Sequence, residues 1–459
     1  MRAALALAAA AHAVRAHEPH PLSAVGVAAM AVALDATAIV TAAPALLQSS
    51  GGLVNVSFTG FTAAAGFLAA YSPPPPAGGL VLTSPVEWFA LPAGGAGAYT
   101  FQLINMRAPY QFVLFTGSVD KPVAVAFSNA VGFAAYDEPR APRLALLADD
   151  ATSMRLTWTS ASTGGTPTVN VTDDASGAST LFAATSDTWA VADLCGAPAT
   201  TVGWRDPGAT HTAVLTGLTP GASYSYSFGN AATGTISSAH RFTQPGVGYP
   251  YSLAFYGDEG QRSADGTAIV QDFPPAPNTS ALVAAWLDAD PSVRAVHHIG
   301  DVSYARGFQA DWEIFLDMNT KLSSRVPYMV DQGNHEADFD TGPAGAGMPA
   351  TWLQGTDSGG ECGVPTRKLF PMPWPSFDQP WFSVTHGPAT VVHVSTEWNF
   401  TTGSPQWLWL EGALGAVNRT RTPWLIVVGH RPMYISSTND SPPGGDQNGA
   451  FGRAARPRA

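Results

Sequence analysis

Hydrophobic and polar residues alternate over short stretches in the first part of the chain. From about Pro21 to Asp137, runs such as LVNVSF, YTFQLI and FVLFT are broken by glycine and proline. Short runs with period-two alternation, separated by turn residues, are typical of β-strands in a sandwich. The consecutive prolines after Ser72 lack amide donors and are predicted to form a surface loop. The pattern predicts a β-sandwich domain over residues 17–137.

A second stretch of short β-runs covers residues 138–246. It contains LTWTS around Trp158, the turn LTPG, and the strand that carries Tyr224 and Tyr226. This order is typical of a fibronectin type III-like domain, in which one of the two tyrosines forms a tyrosine corner. We interpret the domain as structural.

After Gly248 the period of the pattern changes. Apolar runs such as SLAFY, AVHHI and VPYMV alternate with longer segments of helical period. Alternating strands and helices indicate βαβ units, with helices covering both faces of the sheet layer. In the first predicted helix, Leu282, Ala285, Trp286 and Leu287 suit one helix face. An α/β domain with α-β-β-α layers is therefore predicted for residues 247–459, after two β-sandwich domains.

Composition and charge narrow the class of function. The chain has 459 residues, a formal net charge of −12 and a pI near 5.2. No basic stripe offsets this negative field, which argues against a nucleic-acid partner.

The N-terminal residues predict export. Arg2 precedes an Ala- and Leu-rich run, and Val14 to Ala16 offer a small-residue cleavage site, so residues 1–16 are predicted to be a signal peptide. No segment reaches the ~20 apolar residues of a membrane span. Six sequons are candidate glycosylation sites: Asn55, Asn170, Asn278, Asn399, Asn418 and Asn439. Cys195 and Cys362 allow one disulfide, although sequence does not give their distance.

Four short strings, each placed after an apolar run, carry the candidate chemistry. They are GDEG at Gly257, GDVSY at Gly300, GNHE at Gly333 and GH at Gly429. Side chains at the carboxyl ends of adjacent strands converge on one crevice. We therefore expect one site built from these strings.

The residue types in these strings predict a site for two unlike metal ions. Asp258, Asp301, Tyr304 and Asn334 offer oxygen donors, and His430 offers an imidazole nitrogen. Carboxylate and phenolate oxygens are hard donors that suit a trivalent or hard divalent ion, whereas Asn and His suit a borderline divalent ion. A shared carboxylate would bridge two ions roughly 3.5 Å apart, which could clamp a phosphoryl group and ionise a water for in-line attack.

These strings resemble the purple acid phosphatases of the metallophosphoesterase superfamily. Four of the family's five motifs occur in order, as GDEG, GDVSY, GNHE and VVGH. The strings FQLINMR, TVGWRDPG and DSGGECGVP are similar to large plant-type members that have an extra N-terminal β domain. The resemblance implies a calcineurin-like metallophosphoesterase domain over residues 247–459.

Matched by position, the resemblance implies a role for each motif residue. Asp258 and Tyr304 would bind Fe(III), and Asp301 would bridge the two ions. Asn334 and His430 would bind the divalent ion, which would be Zn, Mn or Fe. His335 falls at the family's substrate-side histidine, where it could hold the phosphate or protonate the leaving oxygen, a general-acid role worth ~10²–10⁴ in rate. The implied function is an acid phosphatase that hydrolyses phosphate monoesters through a hydroxide formed at the metals. A phosphodiesterase acting on nucleotides or sugar nucleotides is the alternative.

Two departures from the family bear on activity. Glu259 stands where relatives usually have an apolar residue, and its charge is expected to disturb Asp258 or the metals. The fifth motif, GHxH, does not follow His430. The domain is therefore expected to be C-terminally truncated, with each ion one protein ligand short. An inactive or fragmentary homologue that acts as a non-enzymatic surface-binding protein is the remaining alternative.

The predicted partner is a small phosphate ester. The resemblance is also compatible with a homodimer. The predicted location is extracellular, with the vacuole or cell wall as other destinations of the secretory pathway.

Overall fold

A computed structural model describes residues 31–76, 83–117, 122–339 and 355–432. The predicted signal peptide and Asn439 lie outside these ranges. None of the helices in this part of the chain has the length and apolar character of a membrane span.

The first 18 strands belong to the two N-terminal domains. They are β1 (Ala31–Val32), β2 (Ile39–Ala43), β3 (Leu46–Leu47), β4 (Gly52–Phe61), β5 (Gly66–Tyr71), β6 (Glu87–Leu91), β7 (Gly95–Leu103), β8 (Gln111–Thr116), β9 (Val123–Phe127), β10 (Gly132–Phe133), β11 (Arg140–Leu147), β12 (Asp150–Ser160), β13 (Pro167–Asp173), β14 (Ser179–Asp187), β15 (Ala209–Leu215), β16 (Ser223–Asn230), β17 (Thr235–Ile236) and β18 (His240–Thr243). A 3₁₀ turn, Val191–Asp193, lies between β14 and β15.

The remaining elements form the α/β domain. They are β19 (Ser252–Tyr256), α1 (Ala276–Ala289), β20 (Val293–Ile299), α2 (Gln309–Ser323), β21 (Tyr328–Asp331), α3 (Asn334–Ala337), α4 (Val364–Leu369), β22 (Phe382–His386), β23 (Ala389–His393), α5 (Pro405–Gly415) and β24 (Trp424–Val428).

The first domain is the predicted sandwich. Its main sheets have the strand orders β1-β9-β8-β5-β6 and β2-β4-β7. In β4 the side chains alternate, so that Val54, Val56 and Phe58 are buried while Leu53 and Asn55 face solvent. This alternation is the period-two pattern of the sequence, because successive side chains of a strand point to opposite faces.

The second domain contains the predicted tyrosine corner. Seven of its strands form the hydrogen-bonded path β11-β12-β15-β14-β13-β16-β17, β18 also pairs with β16, and Trp158 is buried in the core. The Tyr224 hydroxyl accepts a hydrogen bond from the Thr219 amide at 2.8 Å. Tyr226, the other candidate, instead donates to the carbonyl of Ser324 at 2.7 Å and so contacts the α/β domain.

The α/β domain has two sheets between layers of helices, as predicted. Parallel β19-β20-β21 forms one sheet and β22-β23-β24 the other. His297 of β20 faces the second sheet, and its Nδ1 lies 3.0 Å from Nε2 of His393. The next residue, His298, points to the opposite face, where its ring lies 6.0 Å from that of Phe315 on α2. All three histidines are fully buried.

The predicted face of α1 is wrong for Leu282, Ala285 and Trp286 and correct for Leu287. Leu282 and Trp286 are 55% and 39% exposed, and the side turned inward carries Ala276 and Ser280, with Val283, Ala284 and Leu287 also packed against the core. The helix is apolar around most of its circumference, so the sequence pattern does not distinguish one face from another.

A covalent link joins the second and third domains. Cys195 and Cys362 form a disulfide with Cα atoms 6.1 Å apart. Beside it, the buried Glu361 accepts hydrogen bonds from the Gly307 amide at 2.8 Å and from Trp312 Nε1 at 3.0 Å. Burial raises the pKa of Glu361 to about 8, so this carboxyl group is neutral at acid pH.

Glu361→Gln is expected to stabilise the chain at high pH. The folded pKa of Glu361 lies above its ordinary value of 4.5. The contribution of this group to wild-type stability is therefore fully present below pH 4.5 and is lost as pH rises through about 8. The neutral glutamine removes this loss, which is worth up to about 5 kcal/mol above pH 8. We expect the variant's apparent melting temperature to exceed that of wild type at pH 9, with little difference at pH 5. An equal difference at both values would contradict a neutral Glu361.

Candidate metal centre

The four glycine-containing strings follow the carboxyl ends of four strands. Asp258 comes two residues after β19, Asp301 two after β20, Asn334 three after β21, and His430 two after β24. Strands β19, β20 and β21 are parallel to one another, and β24 is parallel to β23. The strand ends therefore deliver these side chains to one crevice, as the sequence predicts.

The structure brings the six predicted residues of the site together. Donor atoms of Asp258, Asp301 and His430 all lie within 4.8 Å of one another. The Tyr304 hydroxyl donates to Asp258 Oδ1 at 2.8 Å, and Asn334 Oδ1 lies 3.0 Å from His430 Nε2. Two carboxylates, a phenol, an amide oxygen and an imidazole at these distances form a donor set that fits metal ions.

The backbone at three of these residues has an uncommon conformation. The φ angles of Asp258, Asp301 and Tyr304 are 59°, 49° and 51°, in the left-handed region that non-glycine residues rarely occupy. Each such residue costs of order 1–3 kcal/mol, and such residues cluster at functional sites. The packing around the crevice therefore holds these side chains at a cost in stability.

Close approach of two loops requires glycine at position 333. A Cβ atom built there would lie 2.2 Å from Asp301 Oδ1. The absence of a side chain also lets the His335 amide donate to the same oxygen at 3.0 Å. The glycine of GNHE thus allows Asp301 to lie against the third motif.

The carboxyl and imidazole groups of the crevice shift one another's pKa values. Burial alone would raise the pKa of Asp301, but the imidazoles of His430 and His335 outweigh it and hold the pKa below the ordinary value. Burial would lower the pKa of His430, yet the Asp301 carboxylate 3.2 Å away raises it to about 10. Desolvation and the charge of Asp301 raise the pKa of Asp258. A cation in the crevice would compensate these carboxylates, as the protonated His430 does without one.

His335 is placed at the edge of the cluster. Its Nε2 lies 3.7 Å from Asp301 Oδ2, and its ring centroid lies 4.4 Å from that of Tyr304. The imidazole is thus next to the candidate ligands without being one of the closely spaced donor atoms.

Protein-family models match three parts of the chain. Residues 84–135 match the Fn3-like domain from purple acid phosphatase, residues 139–244 the purple acid phosphatase N-terminal domain, and residues 272–453 the calcineurin-like phosphoesterase domain. The order of these domains agrees with the fold.

Similarity to curated proteins extends over most of the chain. The chain is 33% identical over 467 aligned residues to "Probable inactive purple acid phosphatase 1" of Arabidopsis thaliana. The alignment covers 93% of this chain and 73% of the relative. The chain belongs to the purple acid phosphatase family. A "Nucleotide pyrophosphatase/phosphodiesterase" of Hordeum vulgare is 31% identical over 46% of this chain and 56% of its own length. The structure of purple acid phosphatase PPD1 from yellow lupin (Lupinus luteus) seeds matches with a TM-score of 0.80 and 30% identity, over 88% of this chain and 74% of that one.

Purple acid phosphatases use a dinuclear metal centre, and the cluster of Asp258, Asp301 and His430 is a candidate group for metal binding in this member. Asn334 and Tyr304 lie within hydrogen-bond distance of that group. The six residues selected by motif are therefore neighbours in space.

The expected effect of Glu259 is wrong. Its side chain points away from the crevice, where Oε2 accepts a hydrogen bond from Asn319 Nδ2 at 3.1 Å. Burial raises the pKa of Glu259 to about 8, so the group is neutral at acid and neutral pH. Glu259 therefore places no negative charge beside Asp258 in that range.

Glu336 bonds the backbone of two motif loops. Its carboxylate oxygens accept from the amides of Val302 at 2.8 Å and Gly333 at 2.9 Å. One buried side chain thus ties the GDVSY loop to the GNHE loop, a supporting contact of the kind that metal sites need.

The sequence did not identify an ion-pair cluster that follows His430. The Arg431 guanidinium contacts both oxygens of Glu397 at 2.6 Å and Asp338 Oδ2 at 3.0 Å. Arg431 follows a motif residue directly, but its partners are 34 and 93 positions away in sequence. This arginine is engaged by carboxylates and fixes the loop beside the crevice.

The candidate glycosylation sites in the described ranges are all exposed, which is a precondition for their modification. These are Asn55, Asn170, Asn278, Asn399 and Asn418.

Proposed function

We propose that this chain is an acid phosphatase that hydrolyses phosphate monoesters at a dinuclear centre of Fe(III) and a divalent ion. The observation that supports the proposal most strongly is the convergence of Asp258, Asp301 and His430 within 4.8 Å at the ends of three strands. We assign Asp258 and Tyr304 to Fe(III), Asp301 to the bridge, and Asn334 and His430 to the divalent ion. When bound, the ions would neutralise phosphoryl oxygens and make water a stronger nucleophile.

The protein groups around the crevice suit an anionic ester. His335 Nε2 lies at the side of the cluster, 3.7 Å from Asp301 Oδ2. His335 would hold the phosphate or donate a proton to the leaving oxygen. Aromatic rings line the crevice, those of Tyr304 and Phe273, whose centroids lie 4.4 Å apart.

The test is hydrolysis of p-nitrophenyl phosphate together with measurement of Fe, Zn and Mn in the purified chain. We expect bound metal and turnover with an acid optimum, and a large loss of turnover in His335→Ala with metal content retained. Absence of both metal and turnover would reject the proposal. Faster hydrolysis of bis-p-nitrophenyl phosphate would favour the phosphodiesterase, the function named in the barley relative.

A non-enzymatic role is the second candidate, because the Arabidopsis relative that covers most of the chain is named "probable inactive". In that case the chain would bind a partner through its two β domains. Bound metal without turnover of either ester would favour this candidate. We also propose export to the extracellular space, which a cleaved N-terminus and glycans at the exposed sequons would support.

A further inference from the structure

The segment from Asp357 to Cys362, DSGGEC, contacts the candidate metal centre, although none of the four motifs includes it. Asp357 Oδ2 accepts a hydrogen bond from Asn334 Nδ2 at 2.9 Å. The backbone carbonyl of the same residue lies 3.2 Å from His335 Nδ1. Asp357 therefore contacts two adjacent residues of the site through two different groups.

The side-chain contact determines which way the amide of Asn334 points. In this contact the donor is Nδ2 of Asn334 and the acceptor is a carboxyl oxygen, so the NH₂ group of Asn334 faces Asp357. Its Oδ1 then faces the crevice, 3.0 Å from His430 Nε2. An amide binds a metal ion through its oxygen, and the contact with Asp357 presents that atom.

The backbone contact determines the tautomer of neutral His335. A carbonyl oxygen only accepts, so Nδ1 of His335 carries a proton. Nε2, which lies 3.7 Å from Asp301 Oδ2, is then the nitrogen available in the crevice. This is the atom to which we assign the contact with substrate.

A disulfide and backbone hydrogen bonds hold the segment from the side away from the metal centre. Cys362 is bonded to Cys195, and the Cys195 amide donates to the Gly360 carbonyl at 2.8 Å. A Cβ on Gly360, whose φ is +88°, would lie 2.2 Å from the carbonyl oxygen of Gly196. The Ser358 amide donates to the Asp338 carbonyl at 3.1 Å. The second β domain thus fixes the position of Asp357.

We propose that Asp357 is a positioning residue of the metal centre, which orients the oxygen of Asn334 toward the divalent ion and Nε2 of His335 toward substrate. The proposal rests on the proposed function, because it takes Asn334 as a ligand. It extends the site to a loop that is anchored in another domain.

The test uses the full chain, stripped of metal, and Zn²⁺ alone as the probe in a competition titration with a chromophoric chelator. Asp357→Ala is expected to weaken Zn²⁺ binding by about 10–100-fold, the usual cost of losing a group that orients a ligand. Asp357→Asn keeps an oxygen acceptor for Asn334 and is expected to stay within about threefold of wild type. Asp378→Ala, an exposed aspartate that contacts Ser376, is the matched control and should bind as wild type does.

Two further measurements separate positioning from a general structural effect. Apparent melting temperatures should be similar for wild type and Asp357→Asn, so a tenfold loss of binding in that variant without a loss of stability would overturn the proposal. Histidine ¹⁵N NMR of the metal-free chain with neutral His335 should show the proton on Nδ1. A proton on Nε2 instead would overturn the part concerning His335.

The outcomes also distinguish this proposal from the proposed function. Equal Zn²⁺ affinity in Asp357→Ala and wild type, with weaker binding in Asn334→Ala, overturns the positioning role and leaves the metal site standing. No Zn²⁺ binding by wild type, or binding that neither Asn334→Ala nor His430→Ala weakens, overturns both.

Discussion

Replacing Asp301 by alanine is expected to abolish metal binding at the crevice and, with it, any turnover of phosphate esters. Asp301 is the most central donor of the cluster, because its carboxylate contacts both His430 Nε2 and the His335 amide. Removing a direct ligand should cost more than the 10–100-fold typical of an outer partner, so we expect a loss of Zn²⁺ affinity above about 100-fold. Metal content by mass spectrometry and p-nitrophenyl phosphate hydrolysis measure the two effects.

Two variants make this prediction specific. Asp301→Asn keeps the shape of the side chain and an acceptor for the His335 amide, but it loses the charge that two cations would share, so it should also bind metal poorly. Asp288→Ala removes an exposed aspartate that pairs with Arg325, and it should leave metal content unchanged. Retention of near-stoichiometric metal by Asp301→Ala would contradict the assignment of the bridge.

The sequence predicted the core of this site because its information is local. Each motif joins an apolar strand to a glycine and a donor, and parallel pairing then brings Asp258, Asp301 and Asn334 to the same edge. Only the neighbourhood of each strand had to be interpreted correctly for the convergence to follow.

The errors concern properties that depend on packing between distant elements. Glu259 directly follows Asp258, but its side chain points to Asn319 on α2, and only the fold shows that burial keeps it neutral. The inward face of α1 is decided by its contact with α2, because an apolar helix can pack on several sides. Asp357 is 23 positions from Asn334, and their contact depends on a loop held by another domain.

The β domains therefore contribute to the site indirectly. The disulfide at Cys362 and the hydrogen bond from Cys195 to Gly360 connect the second domain to the loop of Asp357. The Tyr226 hydroxyl bonds the carbonyl of Ser324, just after α2. Contacts that hold the domains together also determine the geometry beside the candidate metal ligands.

One buried carboxylate links all three domains. Glu313 of α2 contacts Arg107 of the first domain at 2.7 Å and Arg140, the first residue of β11, at 3.4 Å. Its side chain is 1% exposed, and those of the two arginines are 8% and 7% exposed. Burial alone would raise the pKa of Glu313, but Arg107 and Arg140 outweigh it and lower the pKa below the ordinary value.

Glu313→Ala is expected to destabilise the chain by about 3–5 kcal/mol, because it leaves two buried guanidinium groups without their shared counter-ion. The apparent melting temperature should fall by at least about 5 °C at pH 7. Since the folded pKa of Glu313 is lowered, its contribution is present above the unfolded pKa of 4.5 and is lost as pH falls below it. The deficit of the variant should therefore shrink at pH 3.5. Asp317→Ala, one turn further along α2, removes the second carboxylate partner of Arg140, but this aspartate is 43% exposed and its loss should cost only ~0–1 kcal/mol. If both variants melt alike, the carboxylate of Glu313 does not hold the three domains together.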